Sequence, residues 1–202
     1  MYTPNHFAAP SQEAMHQLMR EHPLATLVML GAEGLEANHI PLHLSAGGVL
    51  RGHVARANPL WQGYAPGKEV LAIFHGPQAY VSPSWYASKK QHGKVVPTWN
   101  YAVVHAHGRL QVRDDPAWVR KQIEALTAEH EGRLPQPWAV QDAPPDYIEN
   151  LLKAVVGIEI EVTRLNGKWK MSQNQPPENQ AGVVAGLASI GQAATAAWVK
   201  PK

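Results

Sequence analysis

The chain has 202 residues, 45% hydrophobic and 17% charged, a balance that supports one sizeable core and excludes disorder as its overall state. It contains no cysteine, which excludes disulfides, thiolate metal sites and cysteine nucleophiles and fits a cytoplasmic location. The formal charge of +2, with histidines neutral, lacks the dense basic face of a dedicated DNA-binding domain.

The N-terminal stretch MYTPNHFAAPSQEAMHQ has no basic segment leading into an apolar run, so no signal peptide is expected. A helix is predicted over 12–21, capped by Ser11, with Ala14, Met15, Leu18 and Met19 on one side and Pro23 as its stop. Residues 24–30 (LATLVML) form an apolar run consistent with a buried strand, followed by a turn at 31–34. Residues 35–44 and 49–55 read as the next strands, joined through Ala46-Gly47-Gly48. Asn58-Pro59 then opens a short helical turn. Strands are expected at 68–74, at 78–82 and, as the longest signal, at 96–111; Pro83 ends the second of these because it lacks a ladder donor.

Between the last two lies a polar loop, 87–95, carrying Lys89, Lys90 and Lys94. A solvated basic loop is the more economical reading of that cluster, and a contact to an anionic ligand is the alternative. Asp114-Asp115-Pro116 marks a helix start, and the helix runs to about 131. A proline-rich link, 134–145, leads to a short helix over 146–154. Residues 155–164 alternate as a closing strand, and 167–171 are expected to pair near it through a turn at Asn166-Gly167. From about 178 the alanine- and glycine-rich end reads as a packed helix; Gly182, Gly186, Gly191 and Gln192 interrupt it too often for a membrane span.

This order, a helix, a run of antiparallel strands, two helices, a strand and a final helix, implies a mainly β chain with flanking helices (α+β), a closed or partly closed small barrel. No boundary divides it: the expectation is a single domain over 1–202, with a helical insertion at about 115–154 and a C-terminal helix at about 178–198.

The phosphate-binding Walker loop, the dinucleotide Gly-x-Gly-x-x-Gly fingerprint and the nucleophile elbow are absent from the sequence. The two central helices are separated by too long a link for a helix-turn-helix. Among the eleven histidines no spacing gives three or four converging metal ligands, so no metal site is expected.

Three segments concentrate polar and aromatic residues at strand ends. In RGHVARANP (51–59) a strand ends in a helical turn whose start offers backbone N–H groups to an anion. Arg56 could add a two-pronged phosphate contact and Asn58 a cap; an ordinary capped turn with a surface arginine is the alternative. GPQAYVSPSWY (76–86) and VPTWNY (96–101) offer flat aromatic walls to a planar ligand, or serve as core and interface aromatics.

Together with the N-terminal MYTPNHF, VPTWNYAVVHAHG and the late KWKMSQNQP, these runs resemble the PaiB family of FMN-binding negative transcriptional regulators, in order from Met1 to about Gly191. The resemblance implies an antiparallel six-stranded split β-barrel of the FMN-binding type, similar to pyridoxamine-phosphate oxidases, that dimerises with the flavin in a groove built from both subunits. It places the FMN phosphate on Arg56 and the backbone of Ala55, Ala57 and Asn58. It puts Asn38, His39 and His53 along the isoalloxazine or ribityl chain, and Ser82 and Ser84 on ribityl or phosphate oxygens. Lys170, Ser172 and Gln173 would reach the cofactor from the late segment, from the partner subunit. Two functions follow from it: a flavin-binding regulator with DNA as a possible partner, or an FMN-dependent oxidoreductase acting on a small molecule with NAD(P)H. No residue in the sequence identifies a catalytic acid or a substrate.

Overall fold

The computed structural model describes residues 1–31, 33–62 and 67–200. Its elements in chain order are α1 (Gln12–Glu21), β1 (Leu24–Gly31), β2 (Gly34–Pro41), β3 (His43–Leu44), β4 (Val49–Ala55), β5 (Glu69–Val81), α2 (Lys89–His92), β6 (Thr98–Arg113), α3 (Pro116–Glu131), α4 (Pro145–Lys153), β7 (Val155–Lys170), α5 (Pro177–Ser189) and α6 (Ala193–Ala196). The seven strands form one sheet in the order β2-β1-β5-β6-β7-β4-β3. The seventh strand, beyond the six anticipated, is the two-residue β3, split from β2 at Leu42, whose N–H bonds the Pro23 carbonyl at 2.9 Å instead of a ladder partner.

The chain divides into two compact units. One comprises residues 22–74 and 106–165, the other 1–21, 75–105 and 166–202, so β5, β6 and β7 each contribute to both.

In the first unit β1 and β2 pair antiparallel along their length, from Leu24 opposite Pro41 to Gly31 opposite Gly34; Ala32, in the connecting turn, lies outside the described residues. The apolar run of β1 is buried on one face only: Ala25, Leu27 and Met29 face inward, while Leu24 and Leu30 are 60% and 56% exposed. β4 pairs antiparallel with β7, Val49 opposite Glu161 through Ala55 opposite Val155. α3 starts as its residue types dictate, with Pro116 in the first turn and the Asp115 carboxylate accepting from the Ala117 N–H at 2.9 Å. Val119, Val140, Ile148 and Leu152 make a small core beneath α3 and α4, joined by Trp118. A Cβ on Gly157 would come within 2.4 Å of the Trp118 ring, so β7 lies against the indole only because that position is glycine.

In the second unit α1 is capped by Ser11, whose hydroxyl accepts from the Ala14 N–H at 3.1 Å. Ala79, Val81, Tyr86, Val183, Leu187, Ala196 and Val199 form its core. α5 fits against Trp85 because Gly182 and Gly186 leave room; a Cβ at Gly186 would sit 2.2 Å from the indole. Two sequence expectations are revised here. The strands expected at 68–74 and 78–82 are one continuous β5 through Gly76-Pro77, and β7 runs through Asn166-Gly167 without a turn. The polar loop at 87–95 contains α2, a single turn closed by Gly93 at φ 65°.

Candidate functional site

The candidate residues fall into two groups, one in each unit. Asn38, His39, His53, Ala55, Arg56, Ala57 and Asn58 belong to the first; Ser82, Ser84, Lys170, Ser172 and Gln173 belong to the second.

In the first group the strand β4 ends in a helical turn, Pro59–Trp61, and Asn58 caps it by accepting from the Leu60 N–H at 2.9 Å. The same side chain donates through Nδ2 to Oδ1 of Asn38 at 2.9 Å, which ties β2 to the turn. The Asn58 and Arg56 amides are engaged by the carbonyls of Ala55 and Ala154, both at 2.8 Å. His39 reaches Thr26 Oγ1 at 3.2 Å, and His53 Nδ1 lies 2.8 Å from Oε1 of the buried Gln122.

Arg56 is held from several sides. Its Nε donates to the Lys153 carbonyl at 2.8 Å, and Nη1 and Nη2 meet the two Asp114 oxygens at 3.0 and 2.6 Å. Its cationic face lies 5.6 Å from the Trp61 ring centre. The Asp114 hydrogen bonds raise the Arg56 pKa, and the same bonds hold the Asp114 carboxyl below the ordinary carboxylate range against a smaller effect of burial. The sequence offered Asp114 only as part of a helix cap; the structure gives that role to Asp115 and the arginine to Asp114.

In the second group, Lys170 and Ser172 line one cavity of about 200 Å³ together with Thr98, Asn100, Asn174 and Tyr86. Ser172 is the only non-glycine residue at positive φ (62°) among those described, a conformation that costs an ordinary residue roughly 1–2 kcal/mol. Its surroundings hold it there. The hydroxyl accepts from Asn100 Nδ2 at 3.0 Å and donates to Asn100 Oδ1 at 3.1 Å, and both residues are buried. The Ser172 carbonyl accepts from the Gln175 N–H at 2.9 Å and from Gln180 Nε2 at 3.2 Å.

Lys170 donates to the Thr98 hydroxyl and to the Trp99 carbonyl, the latter at 3.0 Å. Burial pushes its pKa below the usual lysine value, and neighbouring Lys168 adds to this while Tyr101 opposes it. Among the described residues no carboxylate pairs with it. An adjoining cavity of about 280 Å³ shares Tyr86, Val96 and Gln175 and adds His92 and Lys94, again with no carboxylate among its described lining residues.

A cation short of a counter-ion, set among hydroxyl and amide donors, is a donor set suited to a phosphorylated or otherwise anionic ligand. Thr98, Asn100 and Asn174 were not singled out from sequence, although they stand in the VPTWNY and KMSQNQP runs that carried the resemblance.

The remaining candidates of the second group stand apart from Lys170 by their contacts. Ser82 caps the turn Pro83–Trp85 by accepting from the Ser84 N–H at 3.2 Å, and the Ser84 hydroxyl accepts from Lys89 Nζ at 3.1 Å. Gln173 turns back on its own segment, accepting from the Met171 N–H at 2.6 Å and donating to the Trp169 carbonyl. No group of three or more histidine, aspartate or glutamate side chains able to hold a metal occurs among the described residues.

A family model described as a putative FMN-binding domain matches residues 1–164. The chain belongs to this FMN-binding family. An uncharacterized protein of Emericella nidulans is 36% identical, covering 88% of this chain and 86% of its own length. The protease synthase and sporulation protein PAI 2 of Bacillus subtilis is 28% identical, with 93% of this chain and 89% of the relative covered. Among solved structures, a conserved hypothetical protein of Mycobacterium tuberculosis superposes at a TM-score of 0.60 with 11% identity, over 87% of this chain and 94% of that one. An FAD- and haem-binding protein of Mycobacterium smegmatis superposes at 0.59 with 18% identity, over 80% and 72%.

The fold is thus the antiparallel split β-barrel of flavin-binding proteins, and the family's cofactor is FMN. No described helix is long and apolar enough to cross a membrane.

Proposed function

We propose that the chain is a cytoplasmic homodimer that binds one FMN per subunit and serves as an oxidoreductase acting on a small molecule with NAD(P)H. The observation that carries the flavin site of this reading is Lys170, a half-buried cation with no carboxylate partner among the described residues, in a cavity lined by hydroxyl and amide groups; the redox role rests on the chemistry FMN supplies. The turn at Arg56–Asn58 offers a second, complementary half-site. Each FMN would rest between that turn in one protomer and the partner subunit's Lys170 and Ser172.

FMN supplies hydride or single-electron transfer when bound. The chain's own groups would bind and orient it. Arg56 and the Ala57 amide would contact the phosphate, Asn38 and His53 would flank the bound molecule, and Lys170 would give a positive charge that favours added negative charge. Ser82 and Ser84 would take ribityl or phosphate oxygens.

Dimerisation is supported by the exposed apolar face of the β1–β2 hairpin, where Leu30 and Leu35 stand opposite each other at 56% and 79% exposure. Regulation, as in the PaiB resemblance, is the second reading, favoured by the match to the sporulation protein of Bacillus subtilis. It would work through the flavin and not through a DNA-reading element. The basic α2 has only four residues, and its Lys89 is tied to Ser84.

The deciding experiment uses subunit mixing. Arg56→Ala and Lys170→Ala homodimers should each bind FMN about 10- to 100-fold more weakly, the scale of one hydrogen bond to a charged group. A purified heterodimer of the two variants should recover one intact site of its two. A heterodimer with both sites weak would place the two half-sites in the same chain and refute the shared-groove reading.

A further inference from the structure

The segment that ends β7 serves two cavities. Lys170, Ser172 and Asn174 line the polar one described above, whereas Trp169, Met171 and Gln173 line a second cavity of about 600 Å³. Trp169 and Lys170, the last two residues of β7, point to opposite faces by the strand period of two, and the segment then turns at Ser172, which has a positive φ.

The second cavity has the size of a small-molecule site. α1 gives it Ala14 and Leu18, and the chain end gives it Trp198 and Lys200. Trp169 and Trp198 pack directly on each other, ring centres 5.7 Å apart at 47°, and together give the cavity an aromatic wall against which a flat molecule can lie. Gln173 bonds back to its own segment through both its amide oxygen and its amide nitrogen, which fixes its place in the wall. Glu21, the carboxylate among the described lining residues, is engaged by Gln17 at 2.6 Å, while Lys200 is exposed and in no ion pair among the described residues.

We propose that this cavity is a binding site for a planar aromatic acid, with its rings against Trp169 and Trp198 and its acidic group at Lys200. The site is separate from the polar cavity assigned to FMN and lies on the reverse side of the segment that positions Lys170 and Ser172. Ring stacking supplies most of the affinity, and the charge at Lys200 selects the acid over its neutral analogue.

The test is calorimetric titration of the FMN-loaded protein with 2-naphthoate and with its neutral isostere 2-naphthamide. One 2-naphthoate per chain should bind, several-fold tighter than the amide. Lys200→Gln should erase that preference. Ala14→Leu, which fills the cavity without removing any packing group, and Trp198→Ala should each weaken binding about tenfold. No saturable binding, or wild-type binding in both of those variants, overturns the proposal; equal binding of acid and amide by the wild-type protein overturns the role of Lys200. The flavin absorbance of the same samples reports the cofactor separately, so failure of this site and failure of the FMN assignment are distinguishable.

Discussion

Arg56 and Asp114 show how a residue chosen for its charge is modified by its neighbour. The carboxylate that orients the guanidinium also offsets the charge a phosphate would meet. Asp114→Asn should therefore tighten FMN binding by up to about fivefold, the scale of an exposed ion pair, measured by flavin fluorescence titration. Unchanged or weaker binding would mean that orientation outweighs charge.

The Asn100–Ser172 pair makes a second prediction at this scale. Asn100→Ala leaves the Ser172 hydroxyl buried without a partner in a conformation that its contacts sustain, and should lower stability by about 1–3 kcal/mol in urea denaturation.

Glu159 carries a pH signature. Burial is the largest single effect on its carboxyl and pushes it up, but the hydrogen bonds and charges of Arg113 at 2.6 Å and Arg51 at 2.8 Å together hold it below the ordinary range. Its contribution is present above the ordinary carboxylate range and is lost as pH falls through the lowered value. Glu159→Gln should cost about 1.5–3 kcal/mol near neutrality, with the gap to the wild type closing in acid. A gap that persists in strong acid would assign the loss to packing.

At the scale of elements, the strands and helices with one-sided patterns were legible in the sequence: α1 with its serine cap, the α3 start at Asp115-Pro116 and the Asn58-Pro59 turn all form as their residue types require. What misled was glycine used for proximity. Asn166-Gly167 has the composition of a turn, yet β7 passes straight through it, because Gly167 lies beneath Ala9 and Met15, where a Cβ would come within 2.5 Å of the Ala9 side chain. Gly76 likewise lies within β5, close to Leu18 and Ala102. Local sequence cannot distinguish a glycine that bends the chain from one that lets another segment approach. Gly167→Ala should therefore destabilise the protein by about 1–3 kcal/mol through overpacking, seen as a lower Tm. An unchanged Tm would mean that the N-terminal segment moves aside at no cost.

The apolar run of β1 misled in a related way. Its composition is that of a buried strand, but an apolar run does not report what covers each face, and Leu24 and Leu30 remain on the surface. The candidate site was legible as segments, not as contacts. Lys170 and Ser172 stand in the KWKMSQNQP run, whereas the pairing of Asn100 with Ser172 across 72 positions and the capture of Arg56 by Asp114 depend on tertiary structure.

At the scale of the whole molecule, the proposed homodimer with shared flavin sites would bring the exposed leucines of the β1–β2 hairpin, the arginine turn and the lysine cavity under one account. The most direct test is size-exclusion chromatography of the FMN-loaded protein, with light scattering for mass and visible absorbance for flavin. The account predicts flavin co-eluting with a dimer at one FMN per chain. Flavin co-eluting with a monomer, or a dimer that carries none, would contradict it.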